Sequence, residues 1–333
     1  MSIGQFYSVI SDAELEAEFV DCLKTRNISQ RLAYLGDSAF HYYEAYGDGY
    51  NKKNIDEDTV TYAKEKYYTI LKDQIDPKQK NIFISLWCGN AHWELWMLER
   101  FEQDGIYIDY IGVDSSKAML DLAHDRLQWL TNIKKTFLCA DFMSPNFKEE
   151  IKNITNQYDR RIFGFLGWSF LNPNQTSLID SLYNMLEPVD MMMFDVLGRH
   201  EDDVKVKMQV FNKYADYLSD PTMSKFMFST LERVKIPFEN GKLIIQTSEE
   251  PSIGAIKYSV LFQFTQKTVI KYRNELIHFL PGESIRVITF RNYMIDTLIS
   301  FIEEHDFTII HRTEKGLKGW RLIDSIFLLK LKS

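Results

Sequence analysis

From residue 81 onward the chain alternates short apolar runs with amphipathic stretches. Apolar runs fall at 82–86, 106–113, 136–140, 162–166 and 191–196. Helical patterns separate them at 91–100, 117–130, 147–155 and 175–186, with apolar residues three and four apart, as in Trp93, Trp96, Met97 and Phe101. This alternation predicts parallel strands joined by right-handed crossover helices, an α/β sheet. Ligands of such sheets bind beyond the carboxyl ends of the strands. The residues that follow each apolar run therefore matter most: Gly89, Asp114 with Ser115, Asp141 with Phe142, and the stretch from Gly167 to Asn172.

The flanks read differently. Residues 1–62 pattern as helices and loops, and Ser11-Asp12-Ala13-Glu14 reads as a capping box that opens a helix through Phe19 and Leu23. A second helix over 57–75 is stopped by Asp76-Pro77. Residues 203–236 pattern as helix. Runs at 242–246, 255–264, 268–272 and 285–289 alternate polar with apolar positions and predict antiparallel strands. The tail returns to helix at 293–305 and strands at 307–313 and 325–331. Two domains are expected, each assembled from two segments. Residues 63–196 and 288–333 form a ligand-binding α/β domain, and 1–62 with 197–287 form an α+β cap.

The stretch 81–114 carries the clearest chemistry: strand, tight turn at Cys88-Gly89-Asn90, helix, strand, acid. Gly89 lets the backbone approach a ligand, and the following helix aims its N–H groups at the same spot. Asp114 can accept both hydroxyls of a ribose, which points to an adenosine compound. One glycine is a weak fingerprint, so a plain parallel strand pair with a surface acid is the bland alternative. Asp141 can accept from an exocyclic amine and the Phe142 ring can cover a base, or Asp141 is a loop acid. Asn172-Pro173-Asn174 is either a site loop or only a helix start. Tyr34, Tyr42, Tyr43, Tyr46 and Tyr50 are either a packed face or an aromatic wall suited to a cation.

Composition narrows the partners. The 333 residues carry a net charge of -8 without a Lys/Arg run, which disfavours nucleic acid. An Asn-Pro-Asn-Gln stretch also lacks the second proline and aromatic of nucleic-acid amino-methyltransferases. The three cysteines are scattered and fit a reducing cytoplasm. The seven histidines show no ligand spacing, so no metal is expected. There is no Gly-x-Ser-x-Gly elbow, no segment that spans a bilayer, and no signal pattern at the start. A cytoplasmic enzyme without membrane association is the expectation, its oligomeric state open.

Three stretches carry a resemblance. They are FGFLGWSFLNPNQTSLIDSLYNMLEPVDMMMFDVLG from Phe163, YIGVDSSKAML from Tyr110, and FLPGESIRVITFRNYM from Phe279. Over roughly residues 30 to 332 the chain resembles S-adenosylmethionine-dependent methyltransferases with a seven-stranded Rossmann-like sheet. More narrowly it resembles the histidine-specific family of the ergothioneine pathway. The resemblance implies S-adenosylmethionine as cofactor, held by Gly89, Asp114, Ser115, Asp141, Phe142 and Gly167. It implies that Asn172 orients the substrate's amine, and that Tyr34, Tyr42 and Tyr50 line the substrate pocket, with Asn172 and Tyr34 as the catalytic residues. Two departures stand out. The strand-end acid and first glycine of the family's motif are Ser85 and Trp87 here. The Glu and Ser that grip an imidazole in that family are Ile288 and Phe290. Each buried polar group left unmet costs roughly 1–3 kcal/mol, so the expected substrate is an amine or amino acid other than histidine. A non-catalytic relative that binds a metabolite or protein partner is the alternative.

Overall fold

A computed structural model describes residues 5–46, 57–318 and 321–332. The chain opens with β1 (Gln5–Ser8), α1 (Asp12–Thr25), α2 (Asp37–Tyr46) and α3 (Glu57–Lys72). The alternating region follows as β2 (Asn81–Leu86), α4 (His92–Gln103), β3 (Asp109–Asp114), α5 (Lys117–Leu127) and β4 (Lys135–Cys139). It continues through α6 (Phe147–Thr155), β5 (Arg160–Phe165), α7 (Gln175–Met185) and β6 (Met191–Arg199). Then come α8 (Val204–Ser219), α9 (Pro221–Glu232), β7 (Gly241–Glu250), β8 (Ala255–Phe264), β9 (Thr268–Tyr272), β10 (Glu275–Phe279) and β11 (Ser284–Met294). The chain closes with α10 (Ile295–Glu304), β12 (Phe307–Gly316) and β13 (Ile323–Leu331).

The central path of the sheet runs β4-β3-β2-β5-β6-β13-β12. Its first five strands are parallel, and β13 lies antiparallel to β6. That is the strand order of the Rossmann-like class I methyltransferase sheet, including its reversed terminal hairpin. The sheet has 11 strands rather than seven. β1 adds to the outer edge of β4, and β11, β8 and β7 extend the sheet from the end of β6. The first β–α–β steps lead from β2 toward β3 and β4, and the chain then crosses back to β5. The order reverses at β2, and a crevice opens there at the carboxyl ends of the strands.

Both faces of the parallel strands are covered, which is why they read as unbroken apolar runs. Ile82, Ile84, Leu86, Val113, Phe165 and Phe194 fill one layer, and Phe83, Tyr110, Phe137, Met97 and Leu98 the other. A third core under the antiparallel strands joins Phe19, Leu23, Phe226, Phe262, Phe279 and Val287. The sequence pattern misses β1 and β10, four and five residues long. It also ends β11 early, because that strand runs to Met294 before α10 begins. The capping box of α1 forms as its spacing predicts: Glu14 N–H donates to Ser11 Oγ at 3.2 Å, and Ser11 N–H to Glu14 Oε2 at 2.9 Å.

Candidate cofactor and substrate site

The loop after β2 takes an unusual path. Trp87, Gly89 and Ala91 all sit at positive φ, +53°, +53° and +54°. Only glycine enters that region freely, and another residue there costs roughly 1–2 kcal/mol. The turn therefore keeps a glycine-type backbone with tryptophan in one of its places. Trp87 is held by packing: its ring lies 4.9 Å from Phe142 and 6.1 Å from Phe165, centroid to centroid. Cys88 N–H donates to Val113 O at 3.0 Å, and Gly89 N–H to Asp114 Oδ2 at 3.0 Å. A Cβ on Gly89 would meet nothing within 4 Å, so the space above this backbone is open to a ligand.

Asp114 ends β3 and is 7% exposed. Its Oδ1 accepts from Ser116 N–H at 2.8 Å. With the Ser115 N–H also acting on the carboxyl, the two oxygens together keep room for a further donor, which suits a ribose hydroxyl. The neighbouring Ser115 and Ser116 are buried, and Ser116 caps α5. Burial pushes the Asp114 carboxyl up to about 6, with the N–H groups of Ser116, Gly89 and Ser115 acting against it. Adenosine binding to the ionised carboxylate should therefore weaken about tenfold between pH 7.5 and pH 5, measurable by titration calorimetry. The effect on folding has the opposite sign. A raised carboxyl favours the fold while protonated and loses that contribution as pH rises through about 6.

Asp141 is less free than the sequence implies. Arg31 Nη1 donates to its Oδ2 at 2.7 Å, and Met143 N–H to its Oδ1 at 3.0 Å. Arg31 also bonds Glu18 on α1 at 2.7 Å, so this acid is tied through Arg31 to α1. An exocyclic amine at Asp141 shares the carboxylate with that guanidinium. Phe142 is 3% exposed and packs among Trp87, Phe147 and Phe165, so its ring does not stand free to cover a base.

The loop after β5 is clamped. Gly167 sits at φ +70°, and a Cβ there would lie 2.0 Å from Trp93 Nε1. Gly167→Ala should destabilise the fold by about 3 kcal/mol, read from urea unfolding, through strain and the displaced indole. Trp168 N–H reaches both oxygens of Asp195, at 3.1 and 3.0 Å, and its indole N–H donates to Asp324 at 2.9 Å. Burial and the charge of Asp324 hold the Asp195 carboxyl well above the ordinary range, and burial pushes Asp324 up to about 6.

This clamp leads to Asn172, which closes the 3-10 turn Ser169–Leu171 and is half-buried. Its carbonyl accepts from Arg291 Nη1 at 3.0 Å. Arg291 is in turn held by Glu250, Nε to Oε2 at 2.7 Å. Neither residue stood out in the sequence, since both lie far along the chain on strands β11 and β7. Asn174 caps α7 through Ser177 N–H at 3.1 Å, so part of the Asn172-Pro173-Asn174 stretch is indeed a helix start.

Tyr34 and Tyr42 meet edge to face, 5.3 Å between ring centroids, and both pack on Phe226 of α9. Burial raises both hydroxyls, Tyr42 to about 12, and the charge of Asp114 acts on each. The two rings are partly buried against the third core and stand within electrostatic reach of Asp114. Both hydroxyls are neutral at ordinary pH, which makes them donors and not bases. Tyr50 lies outside the described residues. Ile288 is 1% exposed in the third core, and Phe290 stacks on Tyr214 at 4.9 Å. Apolar neighbours surround both positions.

Glu94, in the first turn of α4, was missed. It is 2% exposed, accepts a hydrogen bond from Ser85, and is pushed up by burial to about 7. A signal existed: Glu94 is spaced three, four and seven residues from Met97, Leu98 and Phe101, which puts it on the inward stripe of its helix.

Among the described residues, no group of three or more His, Cys, Asp or Glu is placed to hold a metal ion, and no helix is long and apolar enough to cross a membrane.

No known family profile matches the chain. Among curated proteins, the carboxy-S-adenosyl-L-methionine synthase of Helicobacter pylori strain P12 is 26% identical over 214 residues, 61% of this chain and 79% of the relative. That of strain J99 is 25% identical over the same shares. These relatives bear a different name from the histidine-specific family that the sequence stretches resemble. Among solved structures, a methyltransferase of Methanosarcina mazei is 13% identical with a TM-score of 0.42, over 80% of this chain and 98% of its own. The 1,6-didemethyltoxoflavin-N1-methyltransferase of Burkholderia thailandensis is 9% identical with a TM-score of 0.43, over 96% and 91%. The fold assignment rests on the strand order, and these likenesses accompany it.

Proposed function

We propose that this protein is an S-adenosylmethionine-dependent N-methyltransferase acting on the amine of an amino acid or related small molecule other than histidine. The observation that carries the reading is the pair of Asp114 and Gly89 at the point where the strand order reverses. There a buried carboxylate bonds the Gly89 N–H beside open space above Gly89, in a turn where three alternate residues, Trp87, Gly89 and Ala91, are left-handed. That arrangement fits the ribose of an adenosine cofactor. The 26% identity to a carboxy-S-adenosylmethionine synthase supports the same ligand.

Bound S-adenosylmethionine supplies a methyl group on a sulfonium. The chain's own part is to place a free amine in line with it, and positioning can provide much of the rate. Asn172 orients the amine, its backbone fixed by Arg291 and Glu250. The faces of Tyr34 and Tyr42 favour the positive charge that gathers on the nitrogen. Phe290, partly buried, gives the side-chain end of the pocket an apolar lining, and Ile288, buried in the core, offers no polar anchor, which selects against an imidazole.

The test is incubation of the purified protein with isotopically labelled S-adenosylmethionine and a panel of amino acids and amines. Label is expected in an amine bearing an apolar or aromatic side chain. Label in none of them contradicts the reading. A nucleoside product with an added carboxyl would replace it with the activity named for the Helicobacter relatives.

A further inference from the structure

Glu94 belongs to none of the roles above, and its environment is unusual. Ser85, at the end of β2, is fully buried and donates its hydroxyl to Glu94 Oε1. The other oxygen, Oε2, is buried and makes no hydrogen bond. A carboxylate oxygen kept from water without a donor costs free energy, so a fold retains one where a ligand supplies the donor. Glu94 lies in the first turn of α4, directly after the turn that carries Gly89. Glu94 interacts electrostatically with Asp114 and Arg126, and its charge acts on Cys88 and Tyr110 beside it and on Tyr42 of the cap.

The strand order says which part of a ligand passes here. The neighbours run β3, β2, β5, about 4.8 Å apart. The ribose belongs over β3, at Asp114, and the methyl acceptor beyond β5, at Asn172. Whatever joins the two must lie over the end of β2, where Ser85 and Glu94 meet. In S-adenosylmethionine that joining atom is the sulfonium sulfur, and the amino-acid tail branches from it, so the tail starts over the same strand end. The tail ends in an ammonium, a three-fold donor with a positive charge.

We infer that Glu94 Oε2 receives the ammonium of the cofactor's amino-acid tail, so that helix α4 supplies the acid that strand β2 lacks at Ser85. This rests on the cofactor reading above. Ser85 takes the other role in the pair, holding Oε1 and leaving Oε2 for the ammonium.

The test separates the tail from the nucleoside. S-adenosylhomocysteine carries the ammonium, and 5′-methylthioadenosine has the same nucleoside and sulfur with no amino-acid tail. Both are titrated into the wild-type protein and into Glu94→Gln, which keeps the shape and the bond from Ser85. The expected result is a tenfold to hundredfold loss of affinity for S-adenosylhomocysteine and a change under twofold for 5′-methylthioadenosine. Equal losses for both ligands would overturn the inference, since Glu94 then only supports the fold. An unchanged affinity for S-adenosylhomocysteine would overturn it as well. Wild-type protein that binds neither ligand would remove the cofactor reading and this inference together, a result distinct from the other two.

Discussion

Asn172→Ala is expected to lower turnover on the methyl-accepting amine by about a hundredfold or more and to leave S-adenosylmethionine affinity within about twofold. The split follows from the architecture. Asn172 hangs from the loop after β5, fixed by Arg291 and Glu250, whereas the proposed cofactor contacts Gly89 and Asp114 lie at the ends of β2 and β3. In the role proposed for Asn172, losing the amide removes alignment of the nucleophile and touches nothing on the nucleoside side. Single-turnover kinetics with a direct binding measurement would show it. A large loss of cofactor affinity would move Asn172 to the cofactor, and unchanged turnover would end its assigned role. Arg291→Met should behave as a weaker copy of Asn172→Ala. It frees the Asn172 carbonyl without removing the side chain, and its effect should fall on kcat more than on cofactor binding.

Glu94→Gln should alter how stability depends on pH. The folded-state carboxyl is raised to about 7 from an ordinary 4.5, chiefly by burial, with the charge of Arg126 opposing and that of Asp114 adding. A raised carboxyl favours the fold while protonated. Its contribution is complete below about pH 4.5 and is lost as pH rises through 7. Glutamine does not titrate. The stability of the variant relative to wild type should therefore rise between pH 5 and pH 8.5, by at most roughly 3 kcal/mol. Urea unfolding at three pH values measures it. A difference that stays constant with pH would mean that Glu94 is ionised freely and the buried oxygen is better solvated than its surroundings indicate.

Most of the sheet was legible because its strands are buried on both faces and stand out as unbroken apolar runs. The positions just past those runs follow from topology alone, which is how Gly89, Asp114 and the stretch from Gly167 to Asn172 came forward, while Asn172 itself was singled out by the family resemblance. What the chain did not reveal lies in pairings between distant segments. Arg31 meets Asp141 across 110 residues, and Arg291 meets Asn172 across 119. Neither pair has a local pattern. The side-chain direction of Trp87 was likewise hidden, since it depends on Phe142 and Phe165 arriving from β4 and β5. Glu94 is the instructive case: an acid on the apolar stripe of α4 was visible in the helical spacing, and its burial against Ser85 explains how the turn after β2 lacks the strand-end acid and still has a carboxylate beside it.

The most direct test is calorimetric titration of the purified protein with S-adenosylmethionine, repeated with Asp114→Ala. Micromolar binding that disappears in the variant is the predicted result, since it places an adenosine cofactor on the carboxylate at the end of β3. Undetectable binding to the wild-type protein would contradict the central claim and would mean that Trp87, packed across the turn, has closed the crevice to a nucleoside.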